Sequence, residues 1–204
     1  MERSIITISR EFGSGGRSIA RAVAGRLKIP YYDKELIKQV AEETGFDPKY
    51  VEDQGEYAPD KSPLSYALSY FGPREAMGGL SAADFLWVMQ RRVILDLAEK
   101  GPCVIVGRCA DYILRERADC LHVFIHAAPE YRAERIVRLY GESERAPEAR
   151  LQDKDGRRSV NYKHFTGREW GRCRNYHVCL DSGVLGEARC AELIAGLAAV
   201  QPQL

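Results

Sequence analysis

The chain has 204 residues, 45% of them hydrophobic, which is enough to bury the core of one compact domain. Its 30 basic and 29 acidic side chains nearly balance, so we expect neither nucleic acid nor a membrane surface as a partner. The first residues lack the apolar core of a signal peptide, and no stretch is long enough to span a bilayer. The six cysteines include no Cys-x-x-Cys pair, which favours free thiols in a cytoplasmic protein.

The first motif is a glycine-rich turn between an apolar run, 5–8, and a segment of helical spacing that begins at Ser18. A strand, such a turn and a helix point several backbone N–H groups and the positive end of the helix dipole at one phosphate. Glycines allow this close approach because they carry no side chain and accept positive φ. The predicted phosphate-binding residues are Gly13, Ser14, Gly15, Gly16, Arg17 and Ser18. The alternative is an ordinary strand–helix turn with a structural role.

The turn departs from the usual P-loop pattern of glycine, four residues, glycine, lysine and then serine or threonine. The last three positions are Gly16, Arg17 and Ser18, whereas Glu11 replaces the opening glycine. Ser18 keeps the hydroxyl that binds Mg²⁺ in this pattern, and we predict it as the metal ligand. Arg17 keeps the positive charge, but on a planar guanidinium group and not on the compact ammonium group of lysine. It therefore need not contact the β- and γ-phosphates in the way that lysine does.

Apolar runs bounded by turn signals alternate with segments of helical spacing, which predicts a doubly wound parallel sheet. The predicted strands are 5–9, 30–32, 103–107, 120–126 and 177–181. The predicted helices are 18–28, 34–44, 82–100, 110–117, 129–140 and 186–200. Ligands of such sheets bind beyond the carboxyl ends of the strands, which is also where the glycine-rich turn lies.

Two regions interrupt the alternation and divide the core into 1–44, 82–139 and 175–200. The span 45–81 carries four prolines and is too long for a simple connection, so we expect a helical insertion that covers the site. Its aromatic side chains could stack on a base, although such spacing is more often typical of a core; they are Tyr57, Tyr66, Tyr70 and Phe71. The span 140–174 is rich in arginine and suits a mobile flap over a polyphosphate.

Two polar residues follow predicted strands and therefore lie at the edge where ligands bind. Arg108 comes after the third strand, at the start of a predicted helix, where a positive charge is disfavoured. We therefore favour binding of a phosphate by its guanidinium group over a position on the surface. Asp33 ends the second strand at the same edge, but aspartate is also a preferred N-cap for the helix that begins at Lys34. Capping alone is the simpler interpretation for Asp33.

Further charged residues recur at helical spacing. On the helix predicted over 129–140 they are Arg132, Arg135 and Arg138, and a solvated charged face is the default interpretation. In the second interruption, a spacing of three places Asp155 and Arg158 on one helical face, where the arginine could brace a transferring phosphoryl group while the aspartate orients it. Solvent exposure is expected for Arg157, Arg168, Arg172 and Arg174.

Five segments together resemble the cytidylate kinase-like family of P-loop proteins, and the resemblance runs from residue 5 to about residue 194. They are Ile8-Ser9-Arg10-Glu11-Phe12-Gly13-Ser14-Gly15-Gly16-Arg17, Val104-Ile105-Val106-Gly107-Arg108, Arg132-Ala133-Glu134-Arg135, Asp155-x-x-Arg158, and Tyr162 with Thr166-Gly167. The resemblance implies an α/β, three-layer P-loop NTPase fold, with a five-stranded parallel sheet flanked by helices, a helical NMP-binding insertion and an arginine-rich lid. It also implies ATP and Mg²⁺ as cofactors and a small nucleotide as substrate.

Family roles carry over to single positions of this chain. The resemblance implies that Arg108 binds the acceptor monophosphate and that Asp33 contacts the acceptor side. It also implies that Asp155 and Arg158 belong to the lid. The departures are Arg17 in place of the P-loop lysine, Val106 in place of an acidic residue before Gly107, and Leu151 in place of a lid arginine, with Arg150 one place out of register.

The leading hypothesis is an ATP-dependent phosphotransferase that acts on a nucleoside monophosphate, with CMP or dCMP as the first acceptor. In this hypothesis Arg17 serves catalysis, and Arg135, Asp155 and Arg158 close over the transferring group. A second hypothesis is a nucleotide-binding protein with weak or lost transfer activity, motivated by the changes from the P-loop pattern. A third is a kinase for another small phosphate acceptor. The sequence leaves open whether the chain forms a homo-oligomer.

Overall fold

Five parallel strands form the centre of the structure, a computed structural model that describes residues 4–56 and 79–199. The strands are β1 (Ile5–Arg10), β2 (Tyr31–Tyr32), β3 (Cys103–Val106), β4 (Cys120–His126) and β5 (Val178–Asp181). Their order in the sheet is β2-β3-β1-β4-β5, and each neighbouring pair is parallel. The predicted strands and the α/β class are therefore confirmed.

Helices cover both faces of this sheet. Within the described ranges they are α1 (Gly16–Leu27), α2 (Lys34–Thr44), α3 (Pro48–Glu56), α4 (Ala82–Glu99), α5 (Ala110–Ile113), α6 (Pro129–Tyr140), α7 (Pro147–Thr166), α8 (Ser182–Leu185) and α9 (Glu187–Ala199). The helix predicted over 110–117 is shorter than expected, because Leu114 leaves the helical conformation with φ −100° and ψ 11°. No helix in these parts of the chain is long and apolar enough to cross a membrane.

Both faces of β1 are buried because alternate side chains of a strand point to opposite sides. Ile5 packs in the cluster formed with α2 and α4, whereas Ile6 and Ile8 pack in the cluster formed with α1 and α9. All three isoleucines are 0% exposed. Full burial of such a side chain contributes roughly 1.5–3 kcal/mol, so β1 is firmly held between the two layers.

The strand register places the carboxyl ends of the central strands at one edge. Ile5 lies opposite both Cys103 of β3 and Cys120 of β4, so the three strands start level with one another. The last residue of β1 is Arg10, and the Gly107-Arg108 pair follows β3 at the same edge. This edge holds the candidate site.

The two interrupting regions are partly described. Helix α3 lies in the predicted insertion, 45–81, whereas 57–78 fall outside the described residues, together with Tyr57, Tyr66, Tyr70 and Phe71. The second region, 140–174, contains α7, a helix of 20 residues that apolar periodicity does not predict. The reason is its composition: the buried residues of α7 are Leu151, Arg158, Asn161, Tyr162 and Thr166, most of which are polar.

Candidate functional site

The glycine-rich turn after β1 has the backbone conformation that a phosphate cradle requires. Gly13 and Gly15 have φ of 83° and 82°, which residues with a side chain rarely adopt. Helix α1 begins at Gly16, so its first N–H groups have no partner within the helix. A Cβ on Gly16 would lie 2.5 Å from Cβ of Arg10, so this position also needs glycine. The turn therefore offers both space and N–H donors to a phosphate.

The turn lines a cleft, which we call the glycine-loop cleft. Its lining residues are Arg10, Glu11, Phe12, Gly13, Gly15, Gly16, Arg17, Ser18, Arg135, Leu139, Tyr140 and Arg158. The structure thus brings five of the six predicted phosphate-binding residues together with Arg135 and Arg158. The sixth, Ser14, is buried, and its hydroxyl donates to the backbone oxygens of Glu11 at 2.9 Å and Ile125 at 3.2 Å. Ser14 therefore anchors the turn to β4.

Arg132 and Asp155 hold the glycine-rich turn in place through hydrogen bonds to the backbone of Phe12. One oxygen of Asp155 accepts a hydrogen bond of 2.7 Å from Phe12 N, and the other lies 2.5 Å from Arg132 Nη1. Arg132 also donates to the backbone oxygens of Phe12 at 3.2 Å and Ala127 at 3.0 Å. Arg132 is only 8% exposed, so the expected solvated face is wrong at this position. The cause is the ion pair with Asp155, which neutralises the charge that burial would otherwise disfavour.

Glu11, at the position where the P-loop pattern has glycine, also connects the turn to the chain after β4. Its Oε2 accepts a hydrogen bond of 3.2 Å from Ala127 N and lies 3.3 Å from Arg132 Nε. Burial raises the pKa of Glu11, while Arg132 and the Ala127 N–H act in the opposite direction. This departure from the pattern therefore fastens the turn to the end of β4.

Arg135 donates to Ser18 Oγ, in the first turn of α1, at 3.1 Å, and to Glu187 Oε1, at the start of α9, at 2.8 Å. It is 8% exposed, so the solvated interpretation is wrong here as well. The Ser18 hydroxyl can offer one oxygen to Mg²⁺, whose remaining ligands in such sites are phosphate oxygens and water. Within 4–56 and 79–199, no group of three His, Cys, Asp or Glu side chains could hold a metal ion by itself.

Arg17 and Asp33 form an ion pair that joins the start of α1 to the end of β2. Arg17 Nε lies 3.1 Å from Asp33 Oδ2, and the arginine side chain is 41% exposed. Asp33 also accepts a hydrogen bond of 3.2 Å from Tyr31 OH. Burial and the neighbouring Asp33 raise the pKa of Tyr31 to about 12. The Asp33 side chain makes no capping bond to α2, so the interpretation of a simple N-cap is wrong, because Arg17 and Tyr31 engage its carboxylate instead.

A second cleft opens beside the first, and we call it the arginine cleft. Its lining residues are Ser9, Arg10, Glu56, Gly107, Arg108, Cys109, Arg158, Asn161, Tyr162 and Trp170. Arg10 and Arg158 line both clefts, so these two side chains are common to the glycine-loop cleft and the arginine cleft. Both are buried, with 4% and 6% of their surface exposed.

Glu56 faces the arginines of this cleft. Both of its oxygens contact the Arg10 guanidinium, one of them at 3.1 Å, and Arg158 Nε lies 3.5 Å from Oε1. Burial alone would raise the pKa of Glu56, but Arg10, Arg158 and Arg108 hold it well below its usual range. The carboxylate is therefore ionised throughout the pH range in which proteins are ordinarily studied.

Arg108 lies at the arginine cleft, as its position after β3 predicts. Its Nη1 donates to Val51 O and to Gln90 Oε1, each at 3.0 Å, and its Nη2 lies 3.4 Å from Glu52 O. It is 3% exposed and has a φ of 56°. Arg108 thus joins the chain after β3 to α3, the described part of the predicted insertion.

Two residues that line the arginine cleft, Ser9 and Tyr162, contact a buried carboxyl group that sequence reasoning misses. Asp111 accepts hydrogen bonds from Tyr162 OH at 2.6 Å and from Ser9 Oγ at 3.2 Å. Its burial raises its pKa, and the two hydroxyl donors oppose that shift. The available signal was the location of Asp111, three residues after Arg108 and at the same edge of the sheet.

Residues 5–184 match the model of the cytidylate kinase-like family. The chain belongs to the cytidylate kinase-like family. This membership supports phosphoryl transfer as the chemistry of the site. No curated protein matches the chain.

Solved structures share the fold of this cytidylate kinase-like protein. An uncharacterized protein from Eubacterium ventriosum is 24% identical with a TM-score of 0.72, over 97% of this chain and 99% of that one. A shikimate kinase from Acinetobacter baumannii in complex with shikimate is 16% identical with a TM-score of 0.54, over 95% and 92%. A gluconokinase from Sinorhizobium meliloti is 16% identical with a TM-score of 0.56, over 97% and 94%. These likenesses show a P-loop kinase fold.

Two departures of this cytidylate kinase-like chain have structural explanations. Val106, at the end of β3, is 1% exposed and packs in the core, so an acidic side chain there would be costly. Leu151 packs with Ala133 and Ile136, which joins α7 to α6. Arg150, one place out of register, donates to Gly141 O at 3.1 Å and contributes to neither cleft.

Proposed function

We propose that the protein transfers the γ-phosphoryl group of ATP to a nucleoside monophosphate, with CMP or dCMP as the first acceptors to test. The observation that carries this proposal is the pair of clefts that share Arg10 and Arg158. A donor phosphate on the glycine-rich turn and an acceptor in the arginine cleft would meet between these two guanidinium groups. Phosphoryl transfer depends mainly on positioning and charge neutralisation, which buried arginines can supply.

In this proposal the backbone N–H groups of the turn hold the phosphates of ATP, and Ser18 offers its hydroxyl to Mg²⁺. ATP supplies the phosphoryl group, and Mg²⁺ neutralises charge on its phosphates. Arg135 lies 3.1 Å from Ser18 and can bind a phosphate oxygen after leaving that hydroxyl. Asp155 positions the turn and Arg158 through their hydrogen bonds and does not line either cleft.

The reaction needs no general base when the acceptor is a monophosphate, because its attacking oxygen is already ionised. A bond forms between that oxygen and the γ-phosphorus, while the bond from the γ-phosphorus to the β,γ-bridging oxygen breaks. The electron pair of that bond leaves with ADP. Arg10 and Arg158 are placed to neutralise charge on both sides of the transferring group.

The test is ADP release with Mg·ATP and one acceptor at a time. The acceptors are CMP, dCMP, UMP and AMP, together with shikimate and gluconate because solved kinases of this fold carry those names. We expect CMP or dCMP to raise ADP release above the rate without acceptor and to appear as a diphosphate by phosphorus NMR. If shikimate or gluconate is phosphorylated and no nucleotide is, the acceptor is a small non-nucleotide molecule and the nucleoside monophosphate is rejected. Measurable ATP binding with no transfer to any acceptor would contradict the proposal.

The second candidate, a nucleotide-binding protein without transfer, is favoured by one observation. Arg17 Nε lies 3.1 Å from Asp33 Oδ2. In the P-loop pattern the residue at this position instead binds the terminal phosphates. Arg17→Lys separates the two functions. In a kinase this change alters the rate of transfer, whereas in a sensor it alters only the affinity for ATP.

A further inference from the structure

The carboxylate of Glu56 is bound in the way that arginines bind a ligand anion. Both of its oxygens face the Arg10 guanidinium, and Arg158 adds a contact of 3.5 Å to one of them. A guanidinium fork presents the same pair of donors to a carboxylate and to a phosphate. All three side chains line the arginine cleft, so the anion lies where a small ligand would enter.

The contacts that hold α3 are separate from the Glu56 side chain. Glu56 is the last residue of α3 that the structure describes. The hydrogen bonds from Arg108 that hold α3 go to the backbone of Val51 and Glu52, one turn earlier. The helix can therefore stay attached while the Glu56 side chain leaves the cleft.

An incoming anion and the Glu56 carboxylate exclude one another. The arginines keep Glu56 ionised, so the two negative charges would share the same donors at contact distance. Like charges placed together in a buried site are strongly disfavoured. Binding of an anion to Arg10 and Arg158 therefore requires that Glu56 move away.

We infer that Glu56 occupies the site of the acceptor's own oxyanion, and that an acceptor binds by displacing this carboxylate from Arg10 and Arg158. The identity of that oxyanion as part of an acceptor rests on the proposed function. The acceptor class is then a small molecule that carries a phosphate or a carboxylate. In the absence of acceptor, Glu56 occupies donors of both arginines and competes with other anions.

The experiment measures anion binding at equilibrium, without ATP, by titration calorimetry. Wild type and Glu56→Gln are each titrated with inorganic phosphate, CMP, acetate and cytidine. We expect Glu56→Gln to bind phosphate and CMP about tenfold more tightly, because the competing charge is gone. Acetate tests whether the site also takes a carboxylate, and uncharged cytidine is expected to bind both proteins equally. The titrations are repeated with ADP saturating the glycine-rich turn, because Arg10 and Arg158 also line that cleft and phosphate bound there would respond to Glu56→Gln as well.

The matched control is Glu43→Gln, which removes the same charge from an exposed position on α2. We expect it to bind phosphate as wild type does. If folded Glu56→Gln binds phosphate no more tightly than wild type, the inference is wrong and Glu56 serves to orient the arginines. Weaker binding would lead to the same conclusion.

A second variant covers the case in which Glu56→Gln does not fold. Glu56→Asp keeps the charge but withdraws the carboxylate by one methylene group, so we expect phosphate binding tighter than in wild type. Equal or weaker binding in this variant would also overturn the inference. This outcome is separate from the proposed function. Glu56→Gln can tighten phosphate binding in a protein that transfers no phosphoryl group, and a protein that does transfer it can show no such tightening.

Discussion

Asp155 on α7 accepts a hydrogen bond of 2.7 Å from the backbone N–H of Phe12, which fastens α7 to the glycine-rich turn. The same carboxylate lies between two buried arginines, at 2.5 Å from Arg132 and 3.4 Å from Arg158. Asp155→Asn keeps an oxygen for Phe12 but removes the negative charge between the arginines. We expect the free energy of unfolding to fall by about 2 kcal/mol, measured by urea denaturation.

The control for this prediction is Glu148→Gln, in the exposed first turn of the same helix. Among the described residues Glu148 has no ion-pair partner, so its charge acts on the helix dipole and a change of about 0.5 kcal/mol or less is expected. Equal urea midpoints for the two variants would show that Asp155 does not fasten the turn.

Gly16→Ala tests the close approach within the turn. The added methyl group would lie 2.5 Å from Cβ of Arg10, so backbone must move. We expect a loss of about 1–3 kcal/mol in stability and weaker binding of a non-hydrolysable ATP analogue. Gly25→Ala, on the same helix with nothing within 4 Å, should instead stabilise the protein by about 0.5–1 kcal/mol. Similar effects of the two substitutions on stability and binding would contradict a special role for Gly16.

Arg158→Lys tests the arginine shared by the two clefts. Lysine cannot contact Asp155, the Arg10 backbone oxygen and the cleft at the same time, as the guanidinium does. With whichever acceptor proves active, we expect kcat to fall about 100-fold. Arg157→Lys, the neighbouring residue that lines neither cleft, should retain the wild-type kcat. Equal kcat values for the two variants would remove Arg158 from the transfer path.

Asp111 gives the protein a pH dependence of defined sign. Burial raises its pKa in the folded state above the ordinary value of 3.8. The resulting stabilisation is complete below that ordinary value and is lost as pH rises through the folded-state pKa. Wild type should therefore lose stability relative to Asp111→Asn as pH rises from about 4 to about 7, in urea titrations at several pH values.

Asp119 provides a control of opposite sign, because a hydrogen bond from Arg117 lowers its pKa. Its stabilisation is present above 3.8 and is lost as pH falls through the lowered value. Wild type should therefore gain stability relative to Asp119→Asn as pH rises. Parallel pH profiles of the two variants would contradict the assignment for Asp111.

The strand–turn–helix unit around Gly13 and the position of Arg108 could be predicted from sequence because their signals are local. An apolar run, glycines and the next helical segment lie within one short stretch, and strand ends in a parallel sheet share one edge. The buried state of Arg132 could not be predicted, since its partner Asp155 is 23 residues away. At Asp33 a tertiary contact competes with local preference. The carboxylate forms an ion pair with Arg17 and not the N-cap hydrogen bond that the sequence favours.

The Glu56 contact and the full length of α7, beyond the helical face of Asp155 and Arg158, were not predicted from sequence for a related reason. Glu56 lies 46 residues from Arg10, so no local sequence signal links the two side chains. Helix α7 buries mainly polar side chains that are satisfied by distant groups, such as Tyr162 by Asp111, 51 residues away. Periodicity detects apolar faces, so a polar buried face gives no such signal.

The two arginines common to both clefts have a consequence for ligand design. A bisubstrate compound, in which an adenosine polyphosphate is tethered to a second oxyanion, would place its linker between Arg10 and Arg158. Tethering makes the second binding event intramolecular, and its benefit is greatest when the linker just spans the gap. Under the proposed function, the most potent member of such a series would report the distance between the bound donor and the acceptor.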